Sequence, residues 1–173
     1  MLIRPPRTTL DTLLAEVALA VRAPLAARPA AVAEAIGAHL HDAQLLIGRD
    51  LPGSAERYVR HLLHSDPAGG YAVVALVWRP GQMSPIHAHR TWCALGVHAG
   101  TLTESFFDVA HETAEPVTTA TALRRPGALS HGGADPRCAH RLANLGCTEA
   151  VSIHCYGVGF ERFGEGVNQV YAA

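Results

Sequence analysis

The segment PIHAHRTWC, from Pro85 to Cys93, holds two histidines with one residue between them and a cysteine shortly after the second. On a β-strand, the side chains at positions i and i+2 point to the same face of the sheet. His87 and His89 are therefore predicted to project inward together if the segment is extended and Ala88 faces outward. Two converging imidazoles would supply most of a metal site. The alternative for this segment alone is a pair of interior histidines satisfied by hydrogen bonds.

The residues on either side of these histidines have the spacing of a known motif. Gly81, His87, His89, Cys93 and Gly100 fit the pattern G(x)5HxH(x)3-4E(x)6G, which resembles the first motif of the cupin superfamily. Cys93 stands where the metal-binding glutamate of that motif usually lies. The resemblance implies a β-barrel with a metal ion inside it.

A third metal ligand is expected from a distant strand. The segment HRLAN, His140–Asn144, has the H(x)3N form that resembles the second cupin motif, so His140 is the preferred candidate. His131, in the segment SHGG, is the alternative, and it is less favoured because it lies in a glycine-rich turn without that spacing. Three imidazoles carry no charge, so a bound divalent ion would keep its full charge toward an anionic ligand. Such a set would also suit zinc.

The wider sequence is a series of short apolar segments separated by turns. Segments rich in β-branched and aromatic residues and bounded by Gly and Pro predict the strands of a sandwich or barrel. The predicted strands are Tyr71–Trp78, Trp92–Val97, Thr101–Phe107 and Ala150–Val158. With the cupin resemblance, the expected fold is mainly β, a double-stranded β-helix (jelly-roll) barrel with an N-terminal α-helical cap.

The N-terminal region has a helical pattern instead. From Leu10 to about Leu46 the chain is rich in alanine, and its apolar residues recur at helical spacing. The region from Pro24 to Pro29 is predicted to separate two helices. His39 and His41 are expected at the solvated end of the second helix.

Length and composition favour one compact domain. The chain has 173 residues, of which 49% are hydrophobic and 17% charged. Residues 1–50 are expected to form a helical segment packed on the barrel of residues 51–173. A net charge of −1 gives no electrostatic case for binding nucleic acid or an anionic membrane. No run is long enough to span a membrane, and the N-terminus lacks the apolar stretch of a signal peptide. We therefore expect a cytoplasmic protein with small-molecule partners.

Two further segments carry a narrower resemblance. In SIHCY, Ser152, His154 and Tyr156 alternate and so share one strand face, while ERYVRHLL contains Tyr58 and Arg60 as a Tyr-x-Arg pair. Taken alone, the first set could be a satisfied core network, and the second an ordinary pair on a strand surface. Together with the histidines, they make the chain resemble the type I cysteine dioxygenase family of thiol dioxygenases, over roughly residues 56–157.

This resemblance implies a role for each matching residue. His87, His89 and His140 match the ligands of a mononuclear Fe(2+) site. The sets expected around the iron are a catalytic relay of Ser152, His154 and Tyr156, and a substrate-binding set of Arg60, Tyr58 and the pocket wall Trp92. Arg162 is a weaker second candidate for binding a carboxylate. Cys93 resembles the cysteine that some members join to the active-site tyrosine, here Tyr156, by a thioether.

The resemblance also implies the reaction. Members add both atoms of O2 to the thiol of a small carboxylate-bearing substrate, and Arg60 favours L-cysteine as that substrate, with cysteine sulfinic acid as product. The alternatives are 3-mercaptopropionate, whose enzymes mostly carry Gln at the position of Arg60, and mercaptosuccinate. Because members are often monomeric, a monomer or small homo-oligomer is expected.

Two functions of other classes compete with this one. A non-catalytic cupin that binds a metal or small ligand would explain the histidines, but not the simultaneous presence of the Tyr-x-Arg pair and the relay. A zinc or nickel cupin that acts as an isomerase or hydrolase would need a carboxylate as its fourth ligand. Glu104 or Glu149 would have to supply it.

Overall fold

The computed structural model describes residues 8–110 and 115–171. Residues 1–7 of the predicted helical segment and the last two residues of the predicted barrel segment therefore lie outside the described part. The helices and strands follow one another in the order α1 Thr9–Ala20, α2 Arg28–Gly37, β1 Val59–Ser65, β2 Ala72–Trp78, β3 His87–His89, β4 Cys93–Ala99, β5 Leu102–Asp108, β6 Val117–Arg124, β7 Leu129–Gly132, β8 Ala139–Ala143, β9 Ala150–Tyr156, a 3-10 turn Phe160–Arg162, α3 Phe163–Gly166 and β10 Asn168–Val170.

The two long helices begin with ordinary N-terminal signals. Thr8 caps α1 reciprocally, because its hydroxyl accepts a hydrogen bond from the Asp11 amide at 3.1 Å and the Asp11 carboxylate accepts one from the Thr8 amide at 3.0 Å. Pro29 lies in the first turn of α2, where a missing N–H group costs no hydrogen bond. The predicted pair of helices is therefore present, with the second starting inside the proline region.

The end of the second helix differs from the prediction. We expected His39 and His41 within it, but α2 ends at Gly37. Beyond that point the backbone bonds shorten to i→i+3, as in the bond from the His39 amide to the Ile36 carbonyl. These tight turns bring Leu40 against β4, where it is buried. Burial of Leu40 and the turn hydrogen bonds thus replace another helical turn.

The strands form two antiparallel sheets of five. We call the sheet with the order β1-β2-β9-β4-β7 the helix-side sheet and the one with the order β10-β3-β8-β5-β6 the histidine sheet. All seven residues of β2 are buried, because one face of the helix-side sheet packs against α1 and α2 and the other against the histidine sheet. The prediction of a mainly β fold with an N-terminal helical cap is confirmed.

Alternation along the helix-side sheet decides which residues reach the interior between the sheets. On β9, Ile153 and Cys155 belong to the cluster that contains the helices, whereas Tyr156 belongs to the cluster between the sheets. Cys155 therefore faces away from Tyr156, as expected from the period of two. Within the described residues, no helix has the length and apolar character needed to cross a membrane.

Candidate metal centre

Three histidines of the histidine sheet converge between the two sheets. His87 and His89 lie on β3, and His140 lies directly opposite His87 on β8. One ring nitrogen from each forms a group whose members are all within 4.8 Å of one another, and all three residues are buried. Ala88, between the first two, is fully buried in a separate cluster on the other face of the strand.

Each of these histidines is oriented through its Nδ1 atom. The Nδ1 atom of His87 lies 3.0 Å from the Pro85 carbonyl oxygen, and that of His89 lies 3.1 Å from Oδ1 of Asn168. The Nδ1 atom of His140 lies 2.8 Å from a carboxylate oxygen of Glu104. All three partners are acceptors, so each ring carries its proton on Nδ1 and presents an unprotonated Nε2 to the centre.

The spacing and charge state of the rings fit a metal ion. The Nε2 atoms of His89 and His140 are 3.0 Å apart. Two nitrogens about 2.1 Å from a shared ion would be roughly that far apart if they bound at right angles. Burial, followed by the neighbouring His140, lowers the pKa of His87 to about 3 and holds that of His89 well below its usual value. Both rings are therefore neutral ligands at neutral pH.

Glu104, on β5, is a fully buried carboxylate beside this group. One of its oxygens accepts hydrogen bonds from His140 and from Ser130, the latter at 2.9 Å, and the other pairs with Arg124 at 2.7 Å. Burial alone would raise its pKa, but the bond to His140 and the charge of Arg124 leave the pKa lowered. This carboxylate binds Nδ1 of His140, whereas Nε2 on the other side of the ring points to the centre. Glu104 is therefore not placed to bind the metal itself.

Neither carboxylate proposed for the zinc or nickel alternative joins the histidines. Both carboxylate oxygens of Glu104 are bonded to His140, Arg124 and Ser130. Glu149 is exposed beside Gly53. Among the described residues, the metal-binding group consists of imidazoles alone. The sequence did contain a signal for Glu104, since a charged residue there breaks an otherwise apolar inward face of the predicted strand Thr101–Phe107.

A chain of hydrogen bonds on the helix-side sheet reaches the same interior. The Trp78 indole donates to Ser152 Oγ at 2.9 Å, Ser152 Oγ lies 2.8 Å from His154 Nε2, and His154 Nδ1 lies 3.1 Å from the Tyr156 hydroxyl oxygen. An indole N–H can only donate. The Ser152 oxygen accepts from Trp78 and keeps a second lone pair, so Ser152 can either donate its hydrogen to His154 or accept one from Nε2 of His154.

When Ser152 donates to His154, His154 donates to the oxygen of Tyr156, and the Tyr156 hydroxyl hydrogen is then free for another acceptor. Burial, followed by the nearby Cys93, raises the pKa of Tyr156 well above its usual value, and burial holds that of His154 well below its own. The phenol is thus protonated and the imidazole neutral at neutral pH. The Tyr156 ring lies 5.6 Å from the His89 ring, centroid to centroid, and Tyr156 lines the same narrow space as the three histidines. Trp78, which orients the chain, was not among the predicted site residues.

Tyr58 and Arg60 line this space from β1 and the residue before it. The Tyr58 ring stacks on Trp78 with a centroid distance of 4.3 Å, and Arg60 Nη2 donates to the Tyr58 hydroxyl at 3.2 Å. The Nε atom of Arg60 is buried and has no hydrogen-bond partner within residues 8–110 and 115–171. A buried guanidinium N–H without a partner is a strong attractor for an anion.

The remaining predicted residues have separate locations. Cys93 is buried opposite Tyr156 on the adjacent strand, in the same cluster. Its neighbour Trp92 faces the helices instead and does not line the space around the histidines. His131, the alternative third ligand, was expected in a turn but lies on strand β7, where it is exposed and outside the three-histidine group. Arg162 is exposed at the end of the 3-10 turn.

Comparison with known proteins agrees with this architecture. A family model described as cysteine dioxygenase type I matches residues 54–164. A conserved protein with a double-stranded beta-helix domain from Klebsiella pneumoniae subsp. pneumoniae MGH 78578 is similar over 71% of this chain and 91% of its own, at 15% identity and a TM-score of 0.50. Peruvianin-I, described as a cysteine peptidase from Thevetia peruviana latex, is similar over 73% and 75%, at 13% identity and a TM-score of 0.52. At these identities the structures show the fold alone, and the predicted double-stranded β-helix is confirmed.

Proposed function

This chain belongs to the cysteine dioxygenase type I family, and from that membership we propose that it is an Fe(2+) enzyme that oxidises L-cysteine to cysteine sulfinic acid. The family makes it a cupin thiol dioxygenase, an oxidoreductase that uses a metal, a small-molecule thiol and O2. The identity of the metal, the identity of the thiol and the roles of individual residues are the proposal. The non-catalytic cupin alternative is set aside by the family.

The observation that carries the choice of substrate is the buried, unpartnered N–H of Arg60. Arg60 lies with Tyr58 on one side of the space lined by His87, His89 and His140. A carboxylate on a short thiol would satisfy this N–H and neutralise the guanidinium. The sulfur of the same molecule would then reach the histidines, which favours substrates with a short link between carboxylate and thiol.

The three histidines are proposed to hold Fe(2+) through Nε2, because Nδ1 of each is already engaged. When bound, the iron supplies the place where thiolate and O2 meet and where both oxygen atoms are transferred to sulfur, which becomes a sulfinic acid. The negative Glu104 holds the His140 ring in one orientation and one tautomer. The protein's contribution is thus a neutral, rigid ligand set with a cationic clamp opposite it.

Tyr156 is proposed to act as a hydrogen-bond donor to the reacting molecules. We assign the chain the direction in which Ser152 donates to His154 and His154 donates to the Tyr156 oxygen, which leaves the Tyr156 O–H to donate to the substrate carboxylate or to oxygen. The pairing of Cys93 with Tyr156 across β4 and β9 supports these two as the residues of a thioether cross-link. Peptide mass analysis would test it, since a cross-link joins the two peptides and removes the thiol and ring hydrogens.

The space between Arg60 and the histidines is narrow. The space open to a water-sized molecule is about 10 Å³, at most room for one water molecule. Binding of L-cysteine therefore requires side chains to move. Tyr156 packs on Phe163, with ring centroids 5.2 Å apart, and Phe163 on Phe160 at 4.9 Å. These partly buried rings, which follow β9, are the side chains proposed to shift.

Compartment and assembly are part of the same proposal. None of the four cysteines forms a disulfide, which supports a reducing compartment such as the cytoplasm. We propose a monomer or small homo-oligomer without nucleic-acid or membrane partners.

Oxygen consumption by the Fe(2+)-loaded protein tests the proposal. The thiols are L-cysteine, 3-mercaptopropionate, mercaptosuccinate and cysteamine, with products identified by mass spectrometry. We expect the fastest uptake and a sulfinate product with L-cysteine, and little uptake with cysteamine, which lacks a carboxylate. A His140→Ala variant that fails to load iron is the control. Faster turnover of 3-mercaptopropionate or mercaptosuccinate would replace L-cysteine as the substrate, and efficient oxidation of cysteamine would remove the role given to Arg60.

A further inference from the structure

A second and larger cavity also reaches the metal-binding group. Its volume is about 230 Å³, and it is lined by Cys93, Leu95 and Phe106, with His89 and His140 at its inner end. Gly132 on β7 borders it, as do the exposed residues His131 and Cys138. The cavity thus extends from the surface near the end of β7 to two of the three histidines.

The lining of this cavity does not suit a carboxylate. Among its described lining residues there is no lysine or arginine, and the one charged side chain is Glu104. Both oxygens of Glu104 and the hydroxyl of Ser130 are already used in hydrogen bonds within the protein. Arg124, the cation that pairs with Glu104, lies outside this lining, so the cavity walls offer a carboxylate no lysine or arginine of its own. A small neutral apolar molecule would meet Leu95, Phe106 and satisfied polar groups.

The cavity and the narrow space beside Arg60 are separated by the histidines. Of the residues that line the two, only His89 and His140 are common to both. A molecule in the larger cavity therefore reaches His89 and His140 past side chains that do not include Arg60 and Tyr58. The two reactants of a thiol dioxygenase would need such separate approaches if the thiol fills the space on the Arg60 side.

We propose that this cavity is the binding and entry site for dioxygen, distinct from the site of the thiol. The proposal rests on the proposed function, because it gives the apolar cavity the second substrate of that reaction. O2 is small, neutral and apolar. An engineered apolar cavity of about 150 Å³ in another protein stays dry and binds xenon or benzene, so a cavity of 230 Å³ has ample room.

Gly132 allows the cavity to be narrowed without disturbing the fold. A Cβ atom added there meets nothing within 4 Å. Ser130, two residues earlier on β7, points inward to Glu104, so a side chain at position 132 would project into the same interior. Gly132→Phe is therefore expected to fill the cavity, and Gly132→Val to fill part of it. Ala134→Phe places the same ring on an exposed residue outside the lining and is the matched control.

Two measurements test the proposal. In crystals of the wild-type protein under xenon pressure, we expect xenon in the cavity, and none at that place in Gly132→Phe. In steady-state kinetics, we expect Gly132→Phe to lower kcat/KM for O2 roughly tenfold and leave kcat/KM for the thiol unchanged at saturating O2. Gly132→Val should give a smaller effect in the same direction, and it decides the matter if Gly132→Phe fails to fold. Ala134→Phe should behave as the wild type.

The outcomes separate this proposal from the proposed function. Absence of xenon from the cavity, or a fall in kcat/KM for the thiol with that for O2 unchanged, would overturn the dioxygen site, the second result assigning the cavity to the thiol. If the wild-type protein consumes no O2 with any thiol, the proposed function fails, and xenon occupancy then decides whether the cavity binds an apolar gas.

Discussion

At the scale of single residues, the planar pair of N–H donors of Arg60 is expected to contribute more to substrate binding than its charge does. Arg60→Lys keeps a cation but loses the planar pair of donors, so we expect KM for L-cysteine to rise by roughly 10- to 100-fold, the range for losing a hydrogen bond to a charged group. Oxygen uptake at varied thiol concentration measures this. Arg57→Lys changes an exposed arginine three residues earlier and should leave KM unaltered. An Arg60→Lys enzyme with the wild-type KM would remove the clamp from the mechanism.

Glu104 is expected to control how tightly the metal is held. Glu104→Gln keeps the shape and one acceptor but removes the negative charge beside His140, so we expect metal affinity to fall by about 10- to 100-fold. Competition with a chromophoric chelator measures the affinity, and circular dichroism shows whether the variant is folded. Glu149→Gln, at an exposed carboxylate, is the control. Unchanged affinity in a folded Glu104→Gln protein would reduce this residue to a structural partner of Arg124.

Single residues also mark where sequence reasoning succeeds and where it stops. The metal-binding candidates His87, His89 and His140 are predictable because fixed motif spacings identify them, and the structure brings them together. Glu104 and Trp78 act through partners that lie far away along the chain, at separations of 36 and 74 residues. No local sequence pattern links residues that far apart. The pairing of the strands must therefore be known before His140 and Ser152 can be identified as the partners of Glu104 and Trp78.

At the scale of elements, the contact between α2 and β4 depends on a residue without a side chain. A Cβ atom at Gly96 would lie 2.5 Å from Leu40 and 3.2 Å from Ile36. We expect Gly96→Ala to lower the free energy of unfolding by about 1 to 3 kcal/mol, the usual cost of overpacking a core. Urea unfolding of the metal-free protein measures it.

The matched control for this substitution is on the neighbouring strand. Gly132→Ala is on β7, which pairs with β4, and its added methyl group meets nothing within 4 Å. It should leave the free energy of unfolding unchanged or slightly higher. Equal effects of the two substitutions would mean that the helices yield easily, and that the close approach of α2 contributes little.

Strand alternation explains why only one of two neighbouring predicted site residues faces the site. Trp92 and Cys93 were both expected at the site, yet neighbouring residues on an extended segment point to opposite faces. Cys93 faces the interior, so Trp92 packs among the helices. The four strands predicted from composition are present. β6 was not predicted, because its mostly exposed sequence VTTATALR lacks the buried apolar pattern of the others.

At the scale of the whole molecule, the helices and the barrel are expected to unfold together. The chain has two tryptophans, and they report on different clusters, Trp92 beside the helices and Trp78 between the sheets. In the single-tryptophan variants Trp78→Phe and Trp92→Phe, urea transitions followed by fluorescence and by far-UV circular dichroism should coincide within each variant. The metal-free protein is the right sample, since bound metal shifts the transition.

Transitions that do not coincide would show two cooperative folding units. If Trp92 fluorescence changed at lower urea than the circular dichroism of the same variant, the helical cap would be a separate cooperative unit, and residues 1–50 and 51–173 would be better described as two. The sequence predicts the presence of both parts from composition and periodicity. It does not predict the two cavities, because their walls combine strands whose order in the sheets is not sequential.

The candidate metal ligands come from β3 and β8 of one sheet, whereas the chain that ends at Tyr156 and the clamp at Arg60 come from β9 and β1 of the other. Under the proposed function, the residues that hold the ion and the residues that select the thiol therefore lie on two different sheets that face each other. Substitutions in one sheet can therefore change the thiol that is accepted while the other sheet still holds the metal. Directed evolution toward a new thiol should accordingly randomise β1 and β9 first, since these two strands carry neither the three histidines nor the residues bonded to their Nδ1 atoms.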